Sequence, residues 1–350
     1  MYDRRVFLKG GFGFGLGLGI GLAETSGVLA ANGVRAPRNP HVIPAQRIDD
    51  MLARAVGLGP IHSLIASRHG VVIAERHYAG PGLDSVANIK SVSKTVLAAM
   101  VGIAIDRDII ADVDQPIVDL LGERIPASAD PMIARVTVDH LLSMRAGLER
   151  TSGANYGPWI ASRDWVAHAL SRPFVAEPGE ALQYSTGTWH ILSAILTRRS
   201  GRSTLDLARD WLGEPIGFRF PPWPQDPQGI YFGGNDMGMS PRALLRFGEM
   251  YLNGGMIDAR QVLAQNWIEA SWEPRAVSPF SGHAYGYGWF VTELGGQRVL
   301  YGRGYGGQLL YVVPDRGLSI VITSDPTPPS AGGGYVRALH DLVGTGLVAP

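Results

Sequence analysis

The 350-residue chain predicts an α/β (α+β) fold, with one sheet drawn from both ends of the sequence and a mainly helical region inserted between them. Strand-like runs occur early, at residues 61–66 and 71–78. They return late, at residues 285–294, 298–301, 308–313 and 318–323, and the stretch 111–272 reads mainly helical with long loops. At 45% apolar residues the chain is large enough for one full core, or two coupled ones.

Each element has a local reason. Arg4-Arg5-Val6-Phe7-Leu8-Lys9 resembles a twin-arginine export signal, followed by a Gly-rich apolar stretch and a small-residue site at Val28-Leu29-Ala30. Residues 1–30 are therefore expected to be a signal peptide that is removed, and residues 31–44 a linker. This implies the twin-arginine machinery as a partner and a periplasmic or secreted location. The apolar stretch is too short for a confident membrane span, so no stable membrane insertion is expected after cleavage. Residues 46–56 read as an amphipathic helix. Ser67-Arg68-His69-Gly70 is a hairpin signal between the first two strands. A helix carrying Ser91 runs to about Asp106. Residues 138–144 and 191–199 are helical, with Gly201 as a stop signal for the second. Turns at Gly295-Gly296 and Pro314-Asp315-Arg316-Gly317 separate the late strands, and residues 335–343 form a closing helix. The expected organisation is an α/β part at 45–110, a mainly helical part at 111–275 and a second α/β part at 276–350.

Composition removes several functions. The formal net charge is zero and no basic cluster is present, which gives no footing for nucleic-acid binding. The absence of cysteine excludes disulfides, thiolate metal sites and a Cys nucleophile. No metal-ligand spacing stands out among the nine scattered histidines, so neither metal nor cofactor is expected.

The chemistry concentrates at Ser91-Val92-Ser93-Lys94. Ser and Lys three positions apart share one helix face, close enough to hydrogen-bond. A serine hydroxyl becomes a competent nucleophile when a neighbour takes its proton, and a buried lysine amine can do so. At a helix start, the Ser91 backbone N–H can point at an oxyanion. Only three of the 31 basic residues are lysines: Lys9, Lys90 and Lys94. Where positive charge suffices this chain uses Arg, so a lysine beside Ser91 points to chemistry that an ever-protonated guanidinium cannot do. Two further stretches stand out: Tyr184-Ser185-Thr186, whose phenol can shuttle a proton beside a cation, and Gly302-Arg303-Gly304-Tyr305-Gly306-Gly307-Gln308, whose glycines let backbone approach a ligand.

In this order the three sites resemble serine hydrolases related to class C β-lactamases and penicillin-binding proteins. Ser91-Val92-Ser93-Lys94 matches that family's S-x-x-K, Tyr184-Ser185-Thr186 its second motif, and Gly302-Arg303-Gly304 lies where K-T-G or H-x-G would be. His140-Leu141-Leu142-Ser143-Met144-Arg145-Ala146-Gly147-Leu148 and Gly233-Gly234-Asn235-Asp236-Met237 support the match. The latter and the third site look nearest to the esterase and aminohexanoate-dimer (nylon-oligomer) hydrolase branch. The resemblance implies a β-lactamase/transpeptidase-like fold, an antiparallel sheet flanked by helices, with the active site between sheet and helical region. It implies Ser91, Lys94 and Tyr184 as catalytic residues and the N–H groups of Ser91 and Tyr305 as oxyanion donors. Substrate would be bound by Thr186, Asn235, Arg303, Gly304 and Gly306. The expected activity is hydrolysis of a small-molecule ester or amide through an acyl-enzyme. The alternatives are a β-lactamase or D-amino-acid peptidase acting on cell-wall peptides, and a sensor that acylates without turnover. Two departures bear on substrate: Thr186 stands where Asn is usual, and no lysine follows Lys94, which disfavours a β-lactam carboxylate.

Overall fold

A computed structural model describes residues 42–327 and 334–350. The expected signal peptide, and the linker up to residue 41, lie outside the described residues. Eight strands form one antiparallel sheet: β1 (Ile61–Arg68), β2 (Val71–His77), β3 (Ala276–Val277), β4 (Ala284–Tyr285), β5 (Phe290–Leu294), β6 (Gln297–Gly304), β7 (Gln308–Val313) and β8 (Leu318–Ser324). Their spatial order is β2-β1-β8-β7-β6-β5-β4-β3. The two ends of the chain meet where β1 pairs with β8, Ala66 opposite Ile320. β7 and β8 are buried throughout, the pattern of central strands covered on both faces. At the β1–β2 hairpin the turn contracts to His69 and Gly70, both with positive φ, so β1 runs two residues past the predicted end, while β2 starts where expected and stops one residue early.

Helices cover both faces. α1 (Ala45–Val56) and α5 (Gly334–Val343) lie on one side, where the Tyr311 hydroxyl meets His340 Nδ1 at 3.0 Å. α2 (Ser93–Asp106) and α4 (Pro241–Leu252) lie on the other, where Ser319 Oγ donates to the Leu245 carbonyl at 3.1 Å. In α2 every residue from Ser93 to Ala104 is buried, as befits a helix apolar on all sides and enclosed by the core. α4 falls inside the segment expected to be helical, yet it packs on the sheet.

Between β2 and α4 the chain is mainly helical, dominated by α3 (Thr186–Ser200), which ends at left-handed Gly201. α3 starts five residues before the predicted helix. Its first turn is capped from afar: Ser152 Oγ accepts from the Thr186 N–H at 3.0 Å, and Thr151 Oγ1 from the Gly187 N–H at 2.8 Å. The His140–Leu148 stretch is scaffold. Asp139 accepts from Arg145 at 2.7 Å, from Arg275 at 3.1 Å and from the Tyr287 hydroxyl at 2.6 Å. The Met144 carbonyl then takes the Gln183 N–H at 2.8 Å, which fixes the chain just before Tyr184. No helix among the described residues is long and apolar enough to cross a membrane.

Candidate active site

Ser91 sits in the 3₁₀ turn Lys90–Val92 that leads into α2, one turn before the helix proper. Lys94 lies on the first turn of α2, and its Nζ stands 3.1 Å from Ser91 Oγ. The ammonium end also donates to the Gly234 carbonyl at 2.7 Å and lies 3.4 Å from Thr186 Oγ1. The Tyr184 ring centroid is 5.1 Å from Nζ, so the first two motifs converge on one nitrogen. Lys94 is only 2% exposed, and burial pushes its amine below the ordinary lysine range, while Tyr184 and Asp236 push partly back. Ser93, the other hydroxyl of the motif, is fully buried. It donates to the Lys90 carbonyl at 2.5 Å and accepts from the Met237 N–H at 3.1 Å, which makes it a splice between turn and loop.

The loop that holds Lys94 depends on close packing. Gly234 has φ 87°, and a Cβ there would stand 2.6 Å from Trp189 Cβ and 3.0 Å from Lys94 Cγ, so a side chain would displace the lysine. Behind the loop, His190 Nδ1 accepts from the Gly233 N–H at 3.3 Å, and its Nε2 faces Asp226 Oδ2 at 3.0 Å. Both side chains are fully enclosed, and Trp159, Trp165 and Phe232 pack around the imidazole. The first acceptor bond leaves the proton of a neutral ring on Nε2, aimed at the carboxylate.

The third motif closes the site. The end of β6 lies against the Ser91 turn so tightly that a Cβ on Gly304 would meet the Ile89 carbonyl at 2.5 Å and Lys90 Cβ at 2.9 Å. β5 pairs with β6 only as far as Tyr301, which leaves the end of β6 at the cleft. The cleft has a volume of about 590 Å³, and Ser91, Tyr184, Thr186, Asn235, Arg303 and Gly304 all line it, together with Tyr305. Arg303 lies on the opposite side of the strand from Gly302 and Gly304 and is half-buried. No carboxylate lies within 4.0 Å of it among the described residues. Gly306 departs from the expectation. Its Cβ direction meets Pro326 at 2.6 Å, and it is not part of the cleft wall, because the turn after β6 rotates it behind the strand.

Several lining residues carry no sequence signal of their own. Ser152 Oγ stands 3.1 Å from Thr186 Oγ1, the Tyr156 hydroxyl receives Asn235 Nδ2 at 3.3 Å, and Ser278, Phe280 and Phe290 form the far wall. Their segments are far apart in sequence, so tertiary packing alone assembles them. Lys90 and Asp236 each had a signal: the scarcity of lysine marks Lys90, and the Gly233–Met237 stretch contains Asp236.

A serine hydroxyl against a buried lysine, at the junction of an antiparallel sheet and a helical region, defines a class of hydrolases. Over residues 59–344 the sequence matches the Beta-lactamase family, and the chain belongs to it. It is a hydrolase of the beta-lactamase fold. Among curated proteins it is similar to the 6-aminohexanoate-dimer hydrolase of Paenarthrobacter ureafaciens, 25% identical over 85% of this chain and 83% of that one. Among solved structures it is similar to EstCE1, a hydrolase with promiscuous acyltransferase activity (TM-score 0.68, 20% identity, covering 85% of this chain and 98% of that one). It is also similar to a D-stereospecific amidohydrolase from Streptomyces sp. (TM-score 0.65, 19% identity, 84% and 98%).

Proposed function

We propose that the protein is a serine hydrolase that forms an acyl-enzyme at Ser91 and cleaves a carboxylic ester or small amide. The observation that carries this reading is the 3.1 Å approach of the Lys94 amine, whose hold on its proton is weakened by burial, to Ser91 Oγ. In the proposed sequence Ser91 Oγ attacks the substrate carbonyl carbon as Lys94 takes its proton, with the Tyr184 phenol beside it. The carbonyl π bond becomes an oxyanion facing the N–H groups of Ser91 and Tyr305. Collapse of the tetrahedral adduct breaks the bond to the leaving alcohol or amine, which receives the proton back. Water then adds to the acyl-enzyme carbonyl while the same base takes its proton; collapse breaks the bond to Ser91 Oγ, which takes that proton back as the carboxylic acid leaves.

The substrate class follows from the third motif. Gly302 occupies the place of the family's lysine, and a Cβ there would meet Thr95 Oγ1 at 2.6 Å, so the strand packs where a longer side chain would begin. A β-lactam carboxylate entering the cleft loses that partner, and desolvating an unpaired carboxylate costs several kcal/mol. The similarity to the 6-aminohexanoate-dimer hydrolase of Paenarthrobacter ureafaciens supports an ester or amide preference. Short-chain p-nitrophenyl esters are the expected substrates and nitrocefin a poor one. Nitrocefin turnover with kcat/KM equal to the ester value would contradict this reading.

A further inference from the structure

Two of the chain's three lysines belong to this one site, and the mechanism above uses only Lys94. Lys90, immediately before Ser91, lines the cleft with a left-handed backbone, φ 48°, and Asp236 across from it has φ 60°. Both are conformations that residues other than glycine rarely adopt. A knot of bonds holds them. Lys90 Nζ donates to Asp236 Oδ1 at 2.8 Å, and Asn88 Nδ2 donates to the same oxygen at 2.8 Å. The Lys90 N–H donates to Asn88 Oδ1 at 2.9 Å, and Asn235 Nδ2 reaches Asp236 Oδ2 at 3.1 Å. The pair is sheltered, with side chains 25% and 18% exposed, so its charges are screened less than a surface pair's.

Lys94 by contrast pairs with no carboxylate among the described residues; its hydrogen-bond partners are a carbonyl and hydroxyls. Asp236 follows two residues after Gly234, whose carbonyl holds Lys94. The ionisable groups around Lys94 are Tyr184 from the segment before α3, Asp236 from the Gly233–Met237 loop and Lys90 from its own turn. Arg303 of β6 lines the same cleft. Of these, Asp236 is the carboxylate that favours a protonated Lys94. An unpaired carboxylate there would favour the protonated, idle form of the base more strongly.

We propose that Lys90 and Asp236 are a positioning pair for the base: Lys90 offsets the Asp236 charge so that Lys94 can shed its proton, while their contact fixes the turn that presents Ser91. This rests on the role proposed for Lys94. The test is the pH dependence of kcat/KM for p-nitrophenyl butyrate and of fluorophosphonate labelling of Ser91. It is run on wild type, Lys90→Met, Lys90→Arg, Asp236→Asn and the Lys90→Met/Asp236→Asn double variant. Lys90→Met should move the acid limb up by about half to one pH unit, with activity recovered at higher pH. Asp236→Asn should move it down, the double variant should fall between, and Lys90→Arg should match wild type. Acid limbs that stay in place, or that move the same way in both single variants, would overturn the pair. Should Lys90→Met fail to fold, an unmoved limb in Asp236→Asn suffices to do so. Lys94→Arg, run alongside, separates the two readings. Full labelling in Lys94→Arg, or none in wild type, contradicts the base itself and the pair with it. A limb that Lys94→Arg removes but the pair variants leave in place contradicts the pair alone.

Discussion

Lys94 is the residue on which the proposed chemistry turns, and its burial both costs and enables. Enclosing an ammonium disfavours the charged form, so the amine gives up its proton below the ordinary lysine range. In the proposed role the base works deprotonated, so activity should fall as pH drops through its folded value, and depression of that value should extend activity toward neutrality. Lys94→Arg keeps the charge and stays protonated. It should lose at least about 10²-fold in acylation rate, and Tyr184→Phe a comparable factor in kcat, read by stopped-flow with a p-nitrophenyl ester. Near-wild-type turnover in Lys94→Arg would make the lysine structural. Ser91 and Lys94 were legible because a three-residue spacing places two side chains on one helix face. Thr186, Asn235 and Arg303 do line the cleft, whereas Gly306 does not, because a turn's rotation is set by what packs behind it. Ser152 and Tyr156 were not legible. Their place depends on a loop meeting the start of α3, and nothing local encodes that.

At the scale of elements, periodicity found most helices and strands, and the misses have tertiary causes. The strand predicted at 285–294 is broken between Tyr285 and Phe290. There Thr95 Oγ1 donates to the Gly288 carbonyl at 2.7 Å, so the chain leaves the sheet to dock on α2. α3 begins early because the Thr151 and Ser152 hydroxyls supply its cap from a distant loop. The packing of α5 on the sheet carries a pH-dependent term. His340 is 8% exposed, and burial, with His283 and Arg303 adding repulsion, lowers its pKa to about 4. The unfolded chain, with a histidine near 6.5, binds this proton first as pH falls. Stability from this group is therefore present above about pH 6.5 and is lost as pH falls toward 4, by roughly 3 kcal/mol at full effect. His340→Gln should flatten the fall in Tm between pH 7 and 4. A slope unchanged from wild type would show that His340 takes no part.

For the whole molecule, the reading of one sheet from both chain ends was sound, since apolar runs bracket a long helical stretch and β1 does pair with β8. The strand order and the reach of α4 onto the sheet were not legible, because pairing partners more than 200 residues apart leave no local trace. That long-range closure makes the cleft. The first strands lead into the Ser91 turn, the helical region brings Tyr184 and the Gly234 carbonyl, and the last strands press Gly304 against the turn. The proposed reaction requires a covalent intermediate at Ser91. Intact-protein mass spectrometry after rapid acid quench of a p-nitrophenyl ester reaction, followed by peptide mapping, measures it most directly. The expected result is one acyl adduct, on Ser91, absent from Ser91→Ala along with turnover. An adduct on Ser93, or an active Ser91→Ala, would contradict it.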